Sequence, residues 1–346
     1  MDHLTPNKDL YGIDFMYYDF NGMPQRRLGK SGLSVSNVGL GTWKMGYPET
    51  GDGSRVGREE SLNILDHAHD LGVTFWDTAN RYNDAAGNSE RIIGEWLEAN
   101  PNSRRDIVLC TKMFGAMDGR SPNHCGLSRG NILESVYASL ERLRADYIDV
   151  LYFHRFDSTI DIEESLMAVE DLIRQDMVRY FAVSNYTVEQ LKLYKEALHS
   201  VSKRCAITAV QNRFDLITGE DYDESVLDYC AKEGISFVAY SPLGRGLLTD
   251  RYIGNKKIGP GDRLYDEGDY AKMPASSFEK AKALNELAAK WDMEPSQLAL
   301  AYMLSMDGMG PVIPSASSVE HLKKNAKAGK TILTDEQKAE IKSVIK

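Results

Sequence analysis

Short apolar runs alternate with amphipathic segments along most of the chain. Eight of the runs have the length of buried strands, and they cover residues 38–42, 73–78, 106–113, 147–154, 178–184, 206–211, 235–241 and 310–314. The intervening segments repeat apolar residues at helical spacing, and the predicted helices cover residues 59–71, 89–97, 128–143, 162–175, 187–198, 222–233 and 294–306. A strand followed by a helix is a βα unit, so the pattern predicts a series of βα units.

Capping boxes mark three helix starts. In a capping box, Ser or Thr is followed three positions later by Glu or Gln, and each side chain bonds the backbone N–H of the other residue. Such pairs are Thr187 with Gln190, Ser276 with Glu279, and Ser317 with Glu320. They predict the start of the 187–198 helix and of two further helices, one near residue 276 and one after the last strand.

The predicted fold class is α/β, a (β/α)8 TIM barrel. The strands are continuously apolar, as in a parallel sheet that is covered on both faces, and eight βα units can close into a barrel. A doubly wound sheet is the alternative. Against it, the first strand–helix junction, Gly-Leu-Gly-Thr-Trp-Lys-Met-Gly at 39–46, lacks the Gly-x-Gly-x-x-Gly spacing of dinucleotide-binding sheets.

A single domain is predicted for residues 23–346, because no change of composition divides them. Residues 1–22 show no period and are expected to form an N-terminal arm. Residues 23–35 alternate around Gly29 and Gly32, which indicates a hairpin before the barrel. The polar, glycine-rich segment 250–273 is expected to be a long loop at the C-terminal face of the barrel, where such loops often act as lids.

Composition narrows the class of protein. The 346 residues carry a formal net charge of −10, with a pI of about 5.3, which argues against a nucleic-acid partner or an anionic membrane surface. Neither a signal peptide nor a membrane span is recognisable, so a cytoplasmic location is expected. The four cysteines form no CxxC pair and no zinc-binding spacing, which predicts free thiols and no metal site.

Polar residues stand at the ends of the predicted strands, where a (β/α)8 barrel has its active site. They are Thr42, Trp43, Lys44, Asp77 with Tyr82, Lys112, His154, Ser184, Asn185, Gln211, Tyr240, Ser241 and Ser315. Each has an ordinary alternative: Asp77 could cap its loop, Lys112 could extend to solvent, His154 could be structural, and Tyr82 could be an exposed loop aromatic. Four such coincidences on one rim are less probable than a shared site.

The four ionisable side chains suggest proton transfer to oxygen. A tyrosine has an ordinary pKa of about 10, and a neighbouring ammonium lowers it. We expect Lys112 to lower the pKa of Tyr82 in this way, and Asp77 to keep Lys112 charged and oriented. His154 could then bond the same substrate oxygen. The set predicts a proton donor directed at a carbonyl oxygen that becomes an alkoxide as hydride arrives.

The later strand ends could hold a source of hydride. Ser184, Asn185 and Gln211 offer the donors and acceptors that a carboxamide needs, and Tyr240 could stack on a flat ring. The serines at 315–318 precede a predicted helix, whose N-terminus would bind an anion such as phosphate. Their alternative role is plain helix capping.

These motifs together resemble the aldo-keto reductase family over residues 25–346, in the branch similar to voltage-gated potassium channel beta subunits. The motifs are Val-Gly-Leu-Gly-Thr-Trp at 38–43, Phe-Trp-Asp-Thr-Ala-Asn-Arg-Tyr at 75–82, Ser-Glu at 89–90, Thr-Lys at 111–112, Tyr-Ile-Asp-Val-Leu-Tyr-Phe-His at 147–154, Val-Ser-Asn at 183–185, Tyr-Ser-Pro-Leu-Gly-Arg-Gly at 240–246 and Ile-Pro-Ser-Ala-Ser-Ser at 313–318. The segments Gly-Leu-Ser-Arg at 126–129 and Ser-Leu-Glu-Arg at 139–142 indicate the branch.

The resemblance implies a (β/α)8 barrel that performs reversible carbonyl reduction with NADPH/NADP, or alternatively NADH. It implies a catalytic tetrad of Asp77, Tyr82, Lys112 and His154, and a substrate site at Trp43, Tyr82 and His154. The implied cofactor contacts are Gly41, Thr42, Trp43, Asp77, Ser184, Asn185, Gln211, Tyr240, Ser241, Pro242, Leu243, Gly244, Gly246, Ile313, Ser315, Ser317, His321 and Asn325.

The chain departs from the family at one point. Many members place a Lys and an Arg after the last strand to hold the adenosine 2′-phosphate, whereas the corresponding residues here are Ser315 and His321. The candidate substitutes are Arg245, Lys323, Lys324 and the basic residues of the 250–263 loop.

Three functions are compatible with this sequence. The leading one is an oxidoreductase that acts on a small-molecule carbonyl or alcohol. The second is a Schiff-base aldolase with Lys112 as nucleophile and Tyr82 as proton shuttle. The third is a regulatory barrel that binds the cofactor, senses redox state and docks on another protein. The oligomeric state is open, and a homo-oligomer is among the alternatives.

Overall fold

A small antiparallel sheet precedes the barrel. The computed structural model describes residues 18–82, 85–252 and 258–345. Strands β1 (Asp19–Phe20), β2 (Met23–Arg27) and β3 (Ser34–Ser36) pair in sequence order, so the predicted hairpin is present and has a third strand. Residues 1–17 of the predicted arm lie outside the described residues.

Eight parallel strands form the barrel, as predicted. They are β4 (Leu40–Gly41), β5 (Phe75–Asp77), β8 (Val108–Met113), β9 (Ile148–Phe153), β10 (Val178–Ser184), β11 (Ile207–Asp215), β13 (Ser236–Tyr240) and β14 (Met309–Ile313). Bridges between Val38 and Val312 and between Gly41 and Ser315 join the two edges. The short strands β6 (Arg81–Tyr82), β7 (Ala85–Ala86) and β12 (Gly219–Glu220) belong to hairpins at the ends of β5 and β11.

Eleven α-helices lie within the described ranges. They are α1 (Arg58–Asp70), α2 (Asn88–Ala99), α3 (Arg129–Leu143), α4 (Ile162–Arg174), α5 (Val188–Ala197), α6 (Val226–Glu233), α7 (Arg263–Asp266), α8 (Ala275–Lys290), α9 (Pro295–Leu304), α10 (Val319–Ala328) and α11 (Asp335–Ile345). Short 3-10 helices cover Pro48–Thr50, Pro101–Ser103, Pro122–His124, Lys203–Cys205, Gly244–Gly246, Asp250–Tyr252 and Tyr270–Lys272. None of the described helices is both long and apolar enough to cross a membrane.

One of the three predicted capping boxes is confirmed and two are wrong. Thr187 and Gln190 bond each other's backbone N–H at the start of α5. Helix α8 instead begins after Pro274, one residue before the predicted Ser276 box, and no side chain caps it. Helix α10 is capped by Ser318, whose hydroxyl accepts the His321 N–H. The segment 250–273 also contains α7, so it is not a simple loop.

The apolar core has two layers. The larger layer fills the space between the strands and the surrounding helices. The smaller layer fills the barrel, with residues from seven barrel strands and with Leu28 and Val35 from the hairpin. The hairpin covers the end where the strands begin, since a Cβ at Gly29 (φ 59°) would lie 2.5 Å from the Thr208 carbonyl oxygen. The opposite end of the barrel, at the carboxyl ends of the strands, is not covered by the hairpin.

Candidate active site

Strand periodicity brings the polar residues into the barrel. Side chains along a strand alternate between its two faces, so residues two positions apart share a face. Each of seven predicted site residues stands two positions after an apolar residue of the barrel interior: Asp77 after Phe75, Lys112 after Cys110, His154 after Tyr152, Ser184 after Ala182, Gln211 after Ala209, Tyr240 after Val238 and Ser315 after Ile313. They form a polar layer above the apolar filling, at the carboxyl ends of the strands.

Lys112 is the centre of this layer. Its Nζ lies 2.6 Å from Asp77 Oδ2, 2.7 Å from the Tyr82 hydroxyl oxygen and 3.0 Å from the Thr78 carbonyl oxygen. The three ammonium protons therefore each have an acceptor. Lys112 and Asp77 are 1% and 2% exposed, and a buried ion pair with these hydrogen bonds fixes both side chains.

Tyr82 reaches the same point from the short β6–β7 hairpin. Its hydroxyl donates a hydrogen bond to Asp77 Oδ2 at 3.1 Å and accepts the one from Lys112. The His154 ring meets the Tyr82 ring edge-on, with 6.2 Å between centroids. The structure thus brings together the four residues that the sequence suggested.

The protonation of two of these groups follows from their surroundings. Burial raises the pKa of Tyr82 well above its ordinary value, and the charge and hydrogen bond of Asp77 raise this pKa further. The overall shift is therefore opposite to the lowering that we expected from Lys112. Burial, with a smaller effect of the Lys112 and Arg155 charges, lowers the pKa of His154 to about 3. At neutral pH the phenol keeps its proton and the imidazole is neutral.

Asp77 is also held from two other strands. Gln211 Nε2 donates to Asp77 Oδ1 at 2.7 Å from the opposite side of the barrel, and the Thr42 hydroxyl donates to the Asp77 carbonyl oxygen at 3.0 Å. Both carboxylate oxygens of Asp77 therefore accept hydrogen bonds from fixed donors. This leaves the carboxylate one orientation, towards Lys112.

A second network joins the residues predicted to bind a carboxamide. Asn185 Nδ2 donates to the His154 carbonyl oxygen at 2.9 Å and to Ser184 Oγ at 3.1 Å, and the Tyr240 hydroxyl donates to Asn185 Oδ1 at 2.8 Å. Asn185 (φ 62°) and Ser241 (φ 53°) have left-handed backbone conformations that few residues other than glycine adopt. Strain of this kind is typical of functional sites. The bonds place the Tyr240 ring beside the tetrad.

A cavity of about 1020 Å³ opens over the tetrad. It is larger than most ligand pockets, which occupy roughly 300–1,000 Å³. The predicted site residues in its wall are Gly41, Trp43, Asp77, Tyr82, Lys112, His154, Ser184, Asn185, Gln211, Tyr240, Ser241, Pro242, Leu243, Gly246, Ile313, Ser315, Ser317, His321 and Asn325. Thr42 and Gly244 lie outside the wall, because Thr42 is buried behind Asp77 and Gly244 is buried in the turn after β13.

The wall also contains residues that the strand ends did not identify. They include Arg55, Phe114, Asp250, Arg263 and Glu294. Arg263, from α7, lies over the Trp43 ring at 4.4 Å, and Arg55 pairs with Asp266 of the same helix. These contacts hold α7, the described helix of the 250–273 segment, against the loop after β4. The glycine-rich composition of that segment indicated a lid, but it gave no sign of which arginines anchor it.

The comparisons with known proteins identify the family. A sequence model of the Aldo/keto reductase family matches residues 37–346. The chain belongs to this family. Membership confirms the resemblance and the barrel predicted from the sequence, and it supports an oxidoreductase that acts on a small-molecule carbonyl.

Individual aldo/keto reductases are similar over most of the chain. Aldo-keto reductase AMT2 of Alternaria alternata is 32% identical, with 93% of this chain and 91% of that protein covered. The probable voltage-gated potassium channel subunit beta of Arabidopsis thaliana is 31% identical, with 88% and 91% covered. L-glyceraldehyde 3-phosphate reductase of Escherichia coli O157:H7 is 28% identical, with 89% and 88% covered. Named reductases and channel subunits thus both occur among the relatives.

One observation tests whether an aldo/keto reductase cofactor fits this cavity. Asn325 is 4% exposed and lies in the cavity wall, and its side chain makes no hydrogen bond to protein in the part of the chain that the structure describes. Its amide atoms are accessible from the cavity, since they are not among the fully buried side-chain atoms that lack a partner, and they can therefore bond a ligand. Asn325 therefore fits a ligand that places polar ring or ribose atoms beside α10.

Proposed function

We propose that this aldo/keto reductase reversibly reduces an aldehyde or ketone to an alcohol, with NAD(P)H as the second substrate and Tyr82 as the proton donor. The observation that carries the proposal is the triangle of Tyr82, Lys112 and Asp77 in the floor of the cavity. A protonated phenol that touches an ammonium is suited to give its proton to a carbonyl oxygen.

In the proposed reaction, Tyr82 transfers its phenolic proton to the carbonyl oxygen while hydride reaches the carbonyl carbon. The negative charge left on the phenolate lies 2.7 Å from Lys112 Nζ, which stabilises it. Asp77 keeps Lys112 in place. The neutral His154 imidazole donates a hydrogen bond to the same carbonyl oxygen and orients it. Oxidation of the alcohol uses these steps in reverse.

The proposed cofactor site is the remaining wall of the cavity. A bound nicotinamide supplies the hydride. Ser184, Asn185 and Gln211 would hold its carboxamide, and the Tyr240 ring would lie against its face. Ser315 and Ser317, before α10, and the Asn325 amide would hold the adenosine half.

Lys112 is poorly placed to be the nucleophile of an aldolase. Its three protons all point to fixed acceptors, so no lone pair faces the cavity. The regulatory alternative shares the cofactor site with the reductase. The complete hydrogen-bonded tetrad favours the reductase, because a barrel that only holds the cofactor does not need an acid.

The experiment replaces the acid and keeps its ring. We expect Tyr82→Phe to lower the rate of carbonyl reduction by roughly 10²–10⁴-fold, the usual contribution of a general acid. The rate would be measured by NADPH and NADH absorbance over a panel of aldehydes and ketones. Cofactor affinity, measured by fluorescence titration, should change little.

Tyr137→Phe is the matched control, because Tyr137 is exposed on α3 and is not in the cavity wall. It should keep the wild-type rate. Reduction by Tyr82→Phe at the wild-type rate would show that another group supplies the proton.

A further inference from the structure

Asn212 is a buried amide that takes no part in the tetrad or in the proposed cofactor contacts. It lies on β11 directly after Gln211, and it is outside the cavity wall. Side chains alternate along a strand, so Gln211 enters the barrel while Asn212 lies on the outer face of β11. Any effect of Asn212 on the cavity must therefore pass through the groups that it bonds.

The Asn212 side chain holds both backbone polar groups of a single residue, Tyr186. Its Oδ1 accepts the Tyr186 N–H at 3.2 Å, and its Nδ2 donates to the Tyr186 carbonyl oxygen at 2.8 Å. The preceding residue, Asn185, donates its own backbone N–H to the Gln211 carbonyl oxygen at 3.1 Å. The peptide groups on both sides of Asn185 are therefore bonded to β11.

These bonds fix a backbone conformation that is otherwise unfavourable. Asn185 has a φ of 62°, in the left-handed region that costs free energy for any residue other than glycine. A rotation that relieved this strain would turn the peptide group between Asn185 and Tyr186 away from the Asn212 amide. Asn212 therefore stabilises the strained conformation of Asn185.

The conformation of Asn185 orients two parts of the proposed nicotinamide site. Its side chain donates a hydrogen bond to the Ser184 hydroxyl and accepts one from the Tyr240 hydroxyl. The bond from Tyr240 uses one lone pair of Asn185 Oδ1, and the second lone pair can accept an N–H of a carboxamide. If Asn185 relaxed, its amide and the Tyr240 ring would lose their common orientation.

We propose that Asn212 is a positioning residue for the nicotinamide, because it holds Asn185 in the conformation that bonds the carboxamide. The inference rests on the proposed function, in which Asn185 makes that bond. The effect of Asn212 is confined to the nicotinamide half of the cofactor, since the adenosine half is assigned to residues beside α10.

The test compares ligands with and without the nicotinamide ring by calorimetry. NADH is paired with ADP-ribose, and NADPH with ADP-ribose 2′-phosphate. Asn212→Leu keeps the size of the side chain and excludes water. It should bind the dinucleotide that the wild type prefers about tenfold more weakly, because binding must restore the strained conformation without the two hydrogen bonds. Its affinity for the paired ADP-ribose ligand should be unchanged.

Asn131→Leu is the matched control for the loss of a buried amide. Asn131 is buried on α3, its Nδ2 donates to the Gly126 carbonyl oxygen at 2.8 Å, and it is outside the cavity wall. This variant should affect both ligands of a pair equally. Asn212→Ala removes the same bonds as Asn212→Leu without adding apolar atoms, so it should show the same selective loss and takes the place of Asn212→Leu if leucine prevents folding.

Three results would overturn the inference and leave the proposed function intact. They are wild-type affinity of Asn212→Leu for the dinucleotide, an equal loss of affinity for both ligands of a pair, and the same selective loss in Asn131→Leu. Failure of both Asn212 variants to fold would assign this residue to the stability of the barrel and would overturn the inference as well. If the wild type bound neither NADH nor NADPH, the proposed function would be wrong, and the inference with it.

Discussion

At the scale of single residues, the low pKa of His154 should make the stability of the fold depend on pH in the acid range. Its pKa in the folded chain is about 3, because of burial and the nearby charges of Lys112 and Arg155, whereas an unfolded chain gives histidine about 6.5. Between these values the unfolded state binds more protons than the folded state. The contribution of His154 to the free energy of unfolding should therefore be complete above pH 6.5 and should be lost as the pH falls towards 3.

We expect His154→Gln to weaken this dependence, since glutamine has no proton to gain. The measurement is the urea midpoint at pH 7.5 and at pH 4.5, where the wild type should lose more stability than the variant. His199→Gln is the control, because His199 is exposed just after α5 and should behave as the wild type. An equal loss in His154→Gln and the wild type would mean that other groups cause the acid sensitivity.

Tyr82 shows what the sequence could and could not predict about one residue. Its place at a strand end, with Asp77, Lys112 and His154 at others, was sufficient to predict that the four side chains meet. The direction of its pKa was not predictable, because it depends on the balance of a carboxylate at 3.1 Å, an ammonium at 2.7 Å and the loss of water. Those distances arise from the packing of β5, the β6–β7 hairpin and β8 against one another, which the pattern of apolar and polar residues does not specify.

At the scale of elements, the start of α10 shows how one capping rule can fit two residues. The sequence Ser-Ala-Ser-Ser-Val-Glu-His offers Ser317 with Glu320, three positions apart, and Ser318 with His321 at the same spacing. The backbone decides between them. Ser318 is extended (φ −159°, ψ 162°) and its hydroxyl accepts the His321 N–H, while Ser317 bonds the His321 ring. Only the conformation of the loop after β14 distinguishes these alternatives.

The two serines should differ in their effect on stability. Ser318→Ala removes the N-cap of α10 and should lower the free energy of unfolding by about 1 kcal/mol. Ser317→Ala removes an exposed side-chain contact and should change the free energy of unfolding by less than about 0.5 kcal/mol. Urea denaturation of both variants measures the difference. Equal effects would show that the cap contributes nothing specific to α10.

At the scale of the whole molecule, eight βα units predicted a closed barrel, and its closure depends on contacts that no local pattern specifies. The first strand is short, and it meets the last through hydrogen bonds from Gly39 N to the Val312 carbonyl oxygen and from Gly41 N to the Pro314 carbonyl oxygen. Residues almost the whole chain apart must therefore match in register. The glycines at 39 and 41 were recognised as a motif, but their role in closure appears only when both edges of the sheet are present.

Gly39 tests how tightly the barrel closes. A Cβ at this position would lie 2.7 Å from the Phe75 carbonyl oxygen, 2.8 Å from its ring and 2.9 Å from an Ile313 methyl group. Gly39→Ala should therefore lower the free energy of unfolding by about 1–3 kcal/mol, because the added methyl group forces the neighbouring strands apart. The measurement is urea or thermal unfolding.

Gly32→Ala is the matched control. Nothing lies within 4 Å of its added Cβ, so fixing the backbone of the hairpin should leave the free energy of unfolding unchanged or raise it by up to about 1 kcal/mol. If both substitutions were equally tolerated, the first and last strands would have room to separate without cost, and closure would depend on the helix layer instead of contact between the strands.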